Sequence, residues 1–258
     1  MDIKAVFFDI DGTFFCHDSN RVLPETIEAC KRLKANGYKV ALCSGRPKEM
    51  ADELHVFEML DWDGYIGCSG GVAYNEKYEI IYEEIFTDHQ LEQLFAIAKE
   101  HDYCLYSFGK YEFMTKPLDD ISQRLIEEFH LKMPEVRGWQ KEKLSAVSVL
   151  GEVGSDFSIF DGIENLTHTS STPYAIDFIK EGVNKAKGIC EMMKYWGFDE
   201  NDYIAFGDSK NDIEMLKHAK RGFAMGNGHE KAKKAANEVI GNSYETAIAC
   251  KLKQLKLI

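Results

Sequence analysis

An α/β fold, built on a parallel-sheet core that is interrupted by an inserted α+β domain, is predicted by three features of the sequence. Short apolar runs alternate with amphipathic stretches through the first third of the chain. The same rhythm returns after Gly182. Between residues 82 and 175 it gives way to strand, helix, hairpin-like strands, helix and further strands. Two separated α/β halves therefore build one Rossmann-like core from residues 1–81 and 176–258, with 82–175 inserted as a second domain. No internal repeat or low-complexity linker marks the junctions.

The first strand covers Lys4 to Asp9, and its Ala5-Val6-Phe7-Phe8 run is continuously apolar, as strands buried on both faces of a parallel sheet are. Pro24 suits the first turn of a helix from Glu25 to Asn36, and Gly37 suits the position just past its end. A second strand is expected from Tyr38 to Cys43, then a helix from Lys48 to Leu60 opened by Pro47, then a strand from Tyr65 to Cys68. In the insert, strands are expected around Tyr103 to Thr115, Ser145 to Leu150 and Phe157 to Ile159. The last third reads as helix Lys185 to Trp196, strand Tyr203 to Phe206, helix Ile213 to Ala219, strand Gly222 to Met225 and helix His229 to Ala236.

Length and composition narrow the class. A chain of 258 residues with 45% apolar content fills one large or two modest domains. Its early apolar run, Ala5 to Phe8, is too short for a signal sequence or a membrane span, which predicts a cytoplasmic protein without a membrane partner. Seven cysteines with no C-x-x-C pair argue against a disulfide framework or a structural zinc site and fit reduced thiols in a cytosol. A net charge of -12 repels a polyphosphate backbone, so no nucleic-acid partner is expected. The lysines near 231–234 and 251–256 read as solvated helical faces. Nothing in the sequence reports an oligomeric state.

Chemistry concentrates where strands end. Asp9-Ile10-Asp11-Gly12-Thr13 follows the first strand, at the carboxyl edge where open parallel sheets bind ligands. Two carboxylates two positions apart can face one site, and Gly12 permits the sharp turn that follows. Alone, the motif also reads as a turn closing a strand, whereas the missing third ligand and position-twelve glutamate argue against an EF-hand. Ser44-Gly45-Arg46 precedes a helix start and can cradle phosphate, or can simply cap that helix. Gly207-Asp208-Ser209-Lys210-Asn211-Asp212 ends a strand of the second half, so Asp208 can join Asp9 around a magnesium ion while Asn211 or Asp212 caps the next helix. Lys185 can set a fixed positive charge beside a transferring group, or can be an exposed helical lysine.

Four such signals in order, three of them at carboxyl ends of strands in one predicted sheet, resemble the four motifs of the haloacid dehalogenase-like superfamily. Ile213-Glu214-Met215-Leu216 and Ala224-Met225-Gly226-Asn227 are similar to segments of its Cof-type sugar-phosphate phosphatases, and the insert resembles their type-two cap. The resemblance implies a magnesium-dependent phosphatase of small phosphorylated metabolites. Asp9 would be the nucleophile that becomes phosphorylated, and Asp11 the general acid and base. Asp9, Asp208 and the Asp11 carbonyl would hold the metal. Ser44, Gly45, Lys185, Asn211 and the Ile10 backbone would hold the phosphate.

Two departures from the family pattern stand out. Ser69-Gly70-Gly71 replaces an Asn-Gly after the third strand, and Phe14-Phe15-Cys16 is bulkier than the usual leucines, which is expected to reshape the entrance floor. A phosphomutase, or a catalytically silent phosphate-binding protein, shares the same motifs. Tyr111, Lys116, Arg137 and His168 of the insert are candidates to read the leaving group without any one standing out.

Overall fold

The computed structural model describes residues 3–117, 119–129 and 133–258. They divide into two units, one of residues up to Gly45, His55–Tyr82 and Asn184–Ile258, the other of Arg46–Leu54 and Glu83–Val183.

The first unit is an α/β core. Its sheet runs, edge to edge, Glu238–Val239, Arg221–Ala224, Tyr203–Gly207, Ala5–Phe8, Lys39–Cys43, Gly64–Gly67, Val72–Asn75 and Ile80–Glu83. The first six are parallel, while Val72–Asn75 pairs antiparallel with Gly64–Gly67. Ala5–Phe8 is flanked by Lys39–Cys43 on one side and Tyr203–Gly207 on the other. The chain thus leaves its first strand in one direction and returns on the opposite side, and such a reversal opens a crevice at the carboxyl ends of the two neighbours.

Residues Ala5, Val6, Phe7 and Phe8 are fully buried because both sheet faces are covered. Alternation sends Phe7 to one face, where its ring stacks on Trp196 at 5.8 Å and meets Tyr203 edge-on at 5.3 Å. Phe8 goes to the other face and stacks on Phe206 at 5.1 Å. Phe14 is buried against Phe8 and Trp62 and fills core, whereas Phe15, also buried, packs edge-on against His17 at 5.3 Å. The helix Pro24–Ala35 starts on its proline as expected, and Gly37 takes φ +89° just beyond its end.

The helix expected from Lys48 to Leu60 stops at Asp52; His55 adopts φ +53° and a short 3-10 turn, Val56–Glu58, follows. Trp62 fixes that turn by donating its indole N–H to the Val56 carbonyl at 2.9 Å. Periodicity alone does not reveal this break, because Val56, buried under the turn, still falls on an apolar position.

The second unit carries a mixed six-stranded sheet, ordered Glu135–Val136, Phe113–Met114, Cys104–Ser107, Val147–Leu150, Ala175–Lys180 and Leu166–Thr172. The helix Asp88–Glu100 begins with a reciprocal cap between Thr87 and Gln90 and buries Leu91, Leu94 and Ala98 against Phe113, Val149 and Phe178. Phe157 to Ile159, expected as a strand, lies in a 3-10 turn, Phe157–Phe160, whose start is held by the Asp156 carboxylate accepting the Ser158 N–H at 2.9 Å. The Ala175–Lys180 strand pairs with Val147–Leu150 inside this sheet, so the second unit continues past residue 175, to Val183. Among the described residues no helix is long and apolar enough to cross a membrane.

Candidate active site

Asp9 continues the first strand by one residue, its N–H donating to the Phe206 carbonyl at 2.9 Å, and its side chain is 6% exposed. The chain then turns back at Gly12, φ +75°, whose N–H donates to the Phe15 carbonyl. A Cβ at Gly12 would lie 2.6 Å from an Asp208 carboxylate oxygen, so only glycine lets the first and fourth motif loops approach this closely. Thr13 Oγ1 donates to Asp208 Oδ1 at 3.1 Å and Asn227 Nδ2 donates to the Gly12 carbonyl at 2.8 Å. The first bond ties the two loops together, and the second anchors Gly12 to the turn that follows the Arg221–Ala224 strand.

Lys185 begins the helix Lys185–Trp196, which is capped by Asn184 through the Lys187 N–H. Its ammonium is fully buried and bridges two carboxylates, Asp9 Oδ1 at 2.5 Å and Asp212 Oδ1 at 2.6 Å. Asp212 uses its other oxygen to accept the backbone N–H groups of Asp208 and Ser209, each at 2.8 Å. One side chain thereby seats Lys185 and shapes the loop that presents Asp208. The sequence offers Asn211 or Asp212 as a cap for the helix from Ile213; Asp212 stands at that position, but its carboxylate makes no cap bond into the helix and instead closes a reciprocal cap with Ser209 on the short turn Lys210–Asp212. Its pairing with Lys185 across 27 residues has no signature in spacing.

Carboxylate oxygens of Asp9, Asp208 and Asp212 lie within 4.8 Å of one another. Burial pushes the Asp9 carboxyl well above the usual carboxylate range, with Asp212 raising it further, Lys185 opposing, and Asp208 and Asp11 adding smaller repulsions. Asp208 is pushed up to about 6 by burial and by Asp212. Burial alone would depress Lys185, but Asp212 and Asp9 outweigh it and keep the ammonium charged. Several carboxylates facing one ammonium leave unbalanced negative charge in a buried place, and a hard divalent cation would relieve it. The donors are all oxygen, which suits magnesium; Asp9 and Asp208 fit as ligands, since both Asp212 oxygens are already engaged.

Asp11 differs from Asp9. Its side chain is 34% exposed and one oxygen lies 2.8 Å from His17 Nε2. No motif singles out His17; it reaches Asp11 because the turn at Gly12 folds residues 13–17 back. Ile10 is buried between the two aspartates, with its carbonyl accepting the Phe15 N–H at 2.7 Å.

Ser44 follows the Lys39–Cys43 strand, is buried, and donates its N–H to the Ile66 carbonyl at 2.8 Å. A Cβ at Gly45 would meet Asn211 Nδ2 at 3.2 Å and Ser69 Oγ at 3.5 Å, which brings the second and fourth motifs beside Ser69. Ser209 Oγ donates to Asn211 Oδ1 at 2.5 Å, leaving the Asn211 NH2 as the end that faces Gly45. Arg46 lies in the second unit and donates to the Met50 carbonyl.

The Ser69-Gly70-Gly71 departure has a packing role. Gly70 sits at φ +100°, and a Cβ there would lie 2.0 Å from the Asn184 carbonyl oxygen and 2.9 Å from the Lys185 nitrogen. The start of the Lys185 helix therefore rests on a bare backbone. In the second unit, Lys116 pairs with Asp102, Arg137 with Glu135 and Glu142, and His168 with Asp161.

A family model described as haloacid dehalogenase-like hydrolase matches residues 6–252. Relatives include a 5-amino-6-(5-phospho-D-ribitylamino)uracil phosphatase, YitU, of Bacillus subtilis, 26% identical with 96% of each chain covered. A phosphoglycolate phosphatase of Methanosarcina acetivorans is 28% identical, with 95% of this chain and 92% of that one covered. Among solved structures, the haloacid dehalogenase subclass IIB sugar phosphatase BT4131 superposes with a TM-score of 0.86 at 26% identity, over 99% of this chain and all of that one. The resemblance drawn from the four motifs thus holds along nearly the whole length, and the chain belongs to the haloacid dehalogenase-like hydrolases.

Proposed function

We propose that the protein is a cytoplasmic, magnesium-dependent phosphatase that hydrolyses small phosphorylated metabolites, sugar phosphates or similar phosphomonoesters, through a phospho-aspartate on Asp9. The observation that carries this reading is the pairing of a buried Asp9, held by Lys185 and beside Asp208, with a more exposed Asp11 two residues on. The reactions named for the relatives, release of phosphate from a phosphoribityl compound, from phosphoglycolate and from sugar phosphates, support the substrate class. Seven free cysteines suit a reducing compartment.

Asp9 attacks phosphorus while Asp11 protonates the leaving oxygen; Asp11 then takes a proton from water, which hydrolyses the acyl-phosphate. The exposure of Asp11 suits a group that must meet both an alcohol and a water, and His17 orients its carboxylate. Lys185, the Asn211 amide, Ser44, Gly45 and the Ile10 backbone hold the phosphoryl oxygens, and Lys185 keeps its charge throughout. Magnesium, held by Asp9, Asp208 and the Asp11 carbonyl, would neutralise charge on the transferring phosphoryl group when bound. Leaving-group selection falls to the inserted segment, roughly residues 82–175.

The test is phosphate release from a panel of phosphorylated metabolites with magnesium and no bisphosphate activator. Turnover of several esters by the wild type, eliminated in Asp9→Asn, is expected. Residual turnover in that variant would move the nucleophile elsewhere, and a requirement for a bisphosphate would make the enzyme a mutase.

A further inference from the structure

A second group of metal-ligating side chains stands at the amino end of the Tyr203–Gly207 strand, opposite the end that leads to Asp208. Cys190 lies in the Lys185–Trp196 helix, His218 ends the Ile213–His218 helix, and Glu200 precedes the Tyr203–Gly207 strand. Their ligand atoms lie within 4.8 Å of one another. His218 Nε2 is 3.8 Å from Cys190 Sγ and 3.8 Å from Glu200 Oε1. Tyr203 begins the strand whose far end leads to Asp208, so the five residues of that strand, roughly 16 Å, separate this group from the aspartates.

The hydroxyl of Tyr203 is placed to favour Nε2 of His218 as the metal-binding nitrogen. It donates its one proton to the Met215 carbonyl at 3.1 Å. With that proton on the Met215 carbonyl, the oxygen accepts from His218 Nδ1, 3.3 Å away, in the tautomer that carries its hydrogen there, the one that ligation through Nε2 requires. Nε2 keeps its lone pair and is the atom that faces the thiol and the carboxylate. Stacking on Tyr203, with centroids 6.0 Å apart at 24°, fixes the ring. This is the outer-shell arrangement that orients histidine ligands in metal sites.

Distances agree with the donor set. Bond lengths of about 2.3 Å to sulfur and about 2.0–2.1 Å to nitrogen in a tetrahedral zinc site put those two ligand atoms about 3.5 Å apart. The observed 3.8 Å requires only a small contraction, and Glu200, on an exposed and flexible side chain, can complete the third vertex. Sulfur, imidazole and carboxylate together select a borderline-soft ion over magnesium.

We propose that Cys190, Glu200 and His218 form a second divalent-metal site, of the zinc class, remote from the aspartates. Binding replaces the thiol proton, which leaves to solvent, and water fills the remaining position. The ion clamps the helix that starts at Lys185 to the helix that follows Asp212 and to the turn before the Tyr203 strand. It braces the scaffold of the candidate active site without touching the groups proposed to react.

Cobalt titration of the whole protein in excess magnesium tests this site without reference to turnover. One equivalent should produce a sulfur-to-cobalt charge-transfer band and tetrahedral d–d bands, and zinc should displace both. Cys190→Ser should remove the charge-transfer band, and His218→Ala should weaken binding by about tenfold or more. The exposed Glu200→Gln, which leaves packing intact, should weaken it several-fold. Asp9→Asn should keep every band while losing turnover, which separates this site from the proposed phosphatase centre. No charge-transfer band in the wild type, a band persisting in Cys190→Ser, or affinity unchanged in both Glu200→Gln and His218→Ala would overturn the proposal.

Discussion

Lys185 has no exposed surface and two carboxylate partners, so removing either partner has different consequences. In Asp9→Asn the Asp212 pair survives and the loop at Asp208 keeps its clamp, so turnover is lost while the fold persists. In Asp212→Asn the pair breaks and an amide NH2 can be forced toward the Asp208 and Ser209 N–H groups. Either substitution leaves Lys185 one carboxylate partner, so the difference lies in those two N–H groups, each costing on the order of 1–3 kcal/mol when left without an acceptor. Urea unfolding of the two variants in magnesium should therefore rank Asp212→Asn well below Asp9→Asn, and equal stability would deny Asp212 its clamping role. For Asp11→Asn, the expected result is a larger loss on a sugar phosphate than on an aryl phosphate, whose leaving group needs no proton, and a phosphorylated Asp9 trapped by rapid acid quench from the aryl ester. Equal losses on both esters without trapped phosphate would return Asp11 to a structural role. Asp9, Asp11, Asp208 and Lys185 were legible because each belongs to a short motif at a strand or helix end. His17, and Asp212 as a partner of Lys185, were not, because their contacts arise from folding the chain back on itself.

At the scale of elements, the glycines separate backbone strain from close approach. Gly37 has φ +89° with nothing within 4 Å of a would-be Cβ, whereas Gly70 has φ +100° and a backbone oxygen at 2.0 Å. Gly37→Ala should cost only the left-handed strain, on the order of 1 kcal/mol. Gly70→Ala must also push away the start of the Lys185 helix, so it should cost several-fold more and should lower kcat by moving the ammonium. Matching effects of the two substitutions on stability, with kcat unchanged, would show that Gly70 does not seat that helix. The parallel strands were legible because double burial leaves continuous apolar runs such as Ala5 to Phe8. The early stop at Asp52, the 3-10 turn Phe157–Phe160 and the last strand of the second unit were not, because Trp62, Asp156 and strand pairing override local periodicity there.

Across the whole molecule, an acidic chain of net charge -12 brings three carboxylates, two of them buried, within 4.8 Å of one another, which is costly to folding unless a cation or protons arrive. The sign of the pH dependence follows. The Asp208 carboxyl, ordinarily near 3.8, is pushed up to about 6 by burial and Asp212, so without metal the folded protein binds more protons than the unfolded chain between those values. Stability contributed by this group is then present at low pH and is lost as pH rises through about 6. At neutral pH the metal-free protein carries a penalty on the order of 2–3 kcal/mol from Asp208 alone. Asp208→Asn removes the charge but keeps an oxygen that can accept from Thr13 Oγ1. In excess chelator at pH 7.5 the variant should therefore be more stable than the wild type, and the difference should shrink as pH falls to 5. Added magnesium should reverse the order, because only the wild type gains binding energy from the ion. The same variant should have no measurable turnover. Thermal unfolding of both proteins, with and without magnesium at the two pH values, checks each step. A variant less stable than the wild type in chelator at pH 7.5 would mean that Asp208 is held by its hydrogen bonds rather than strained by its neighbours, and the case for a cation at this place would lose its electrostatic basis.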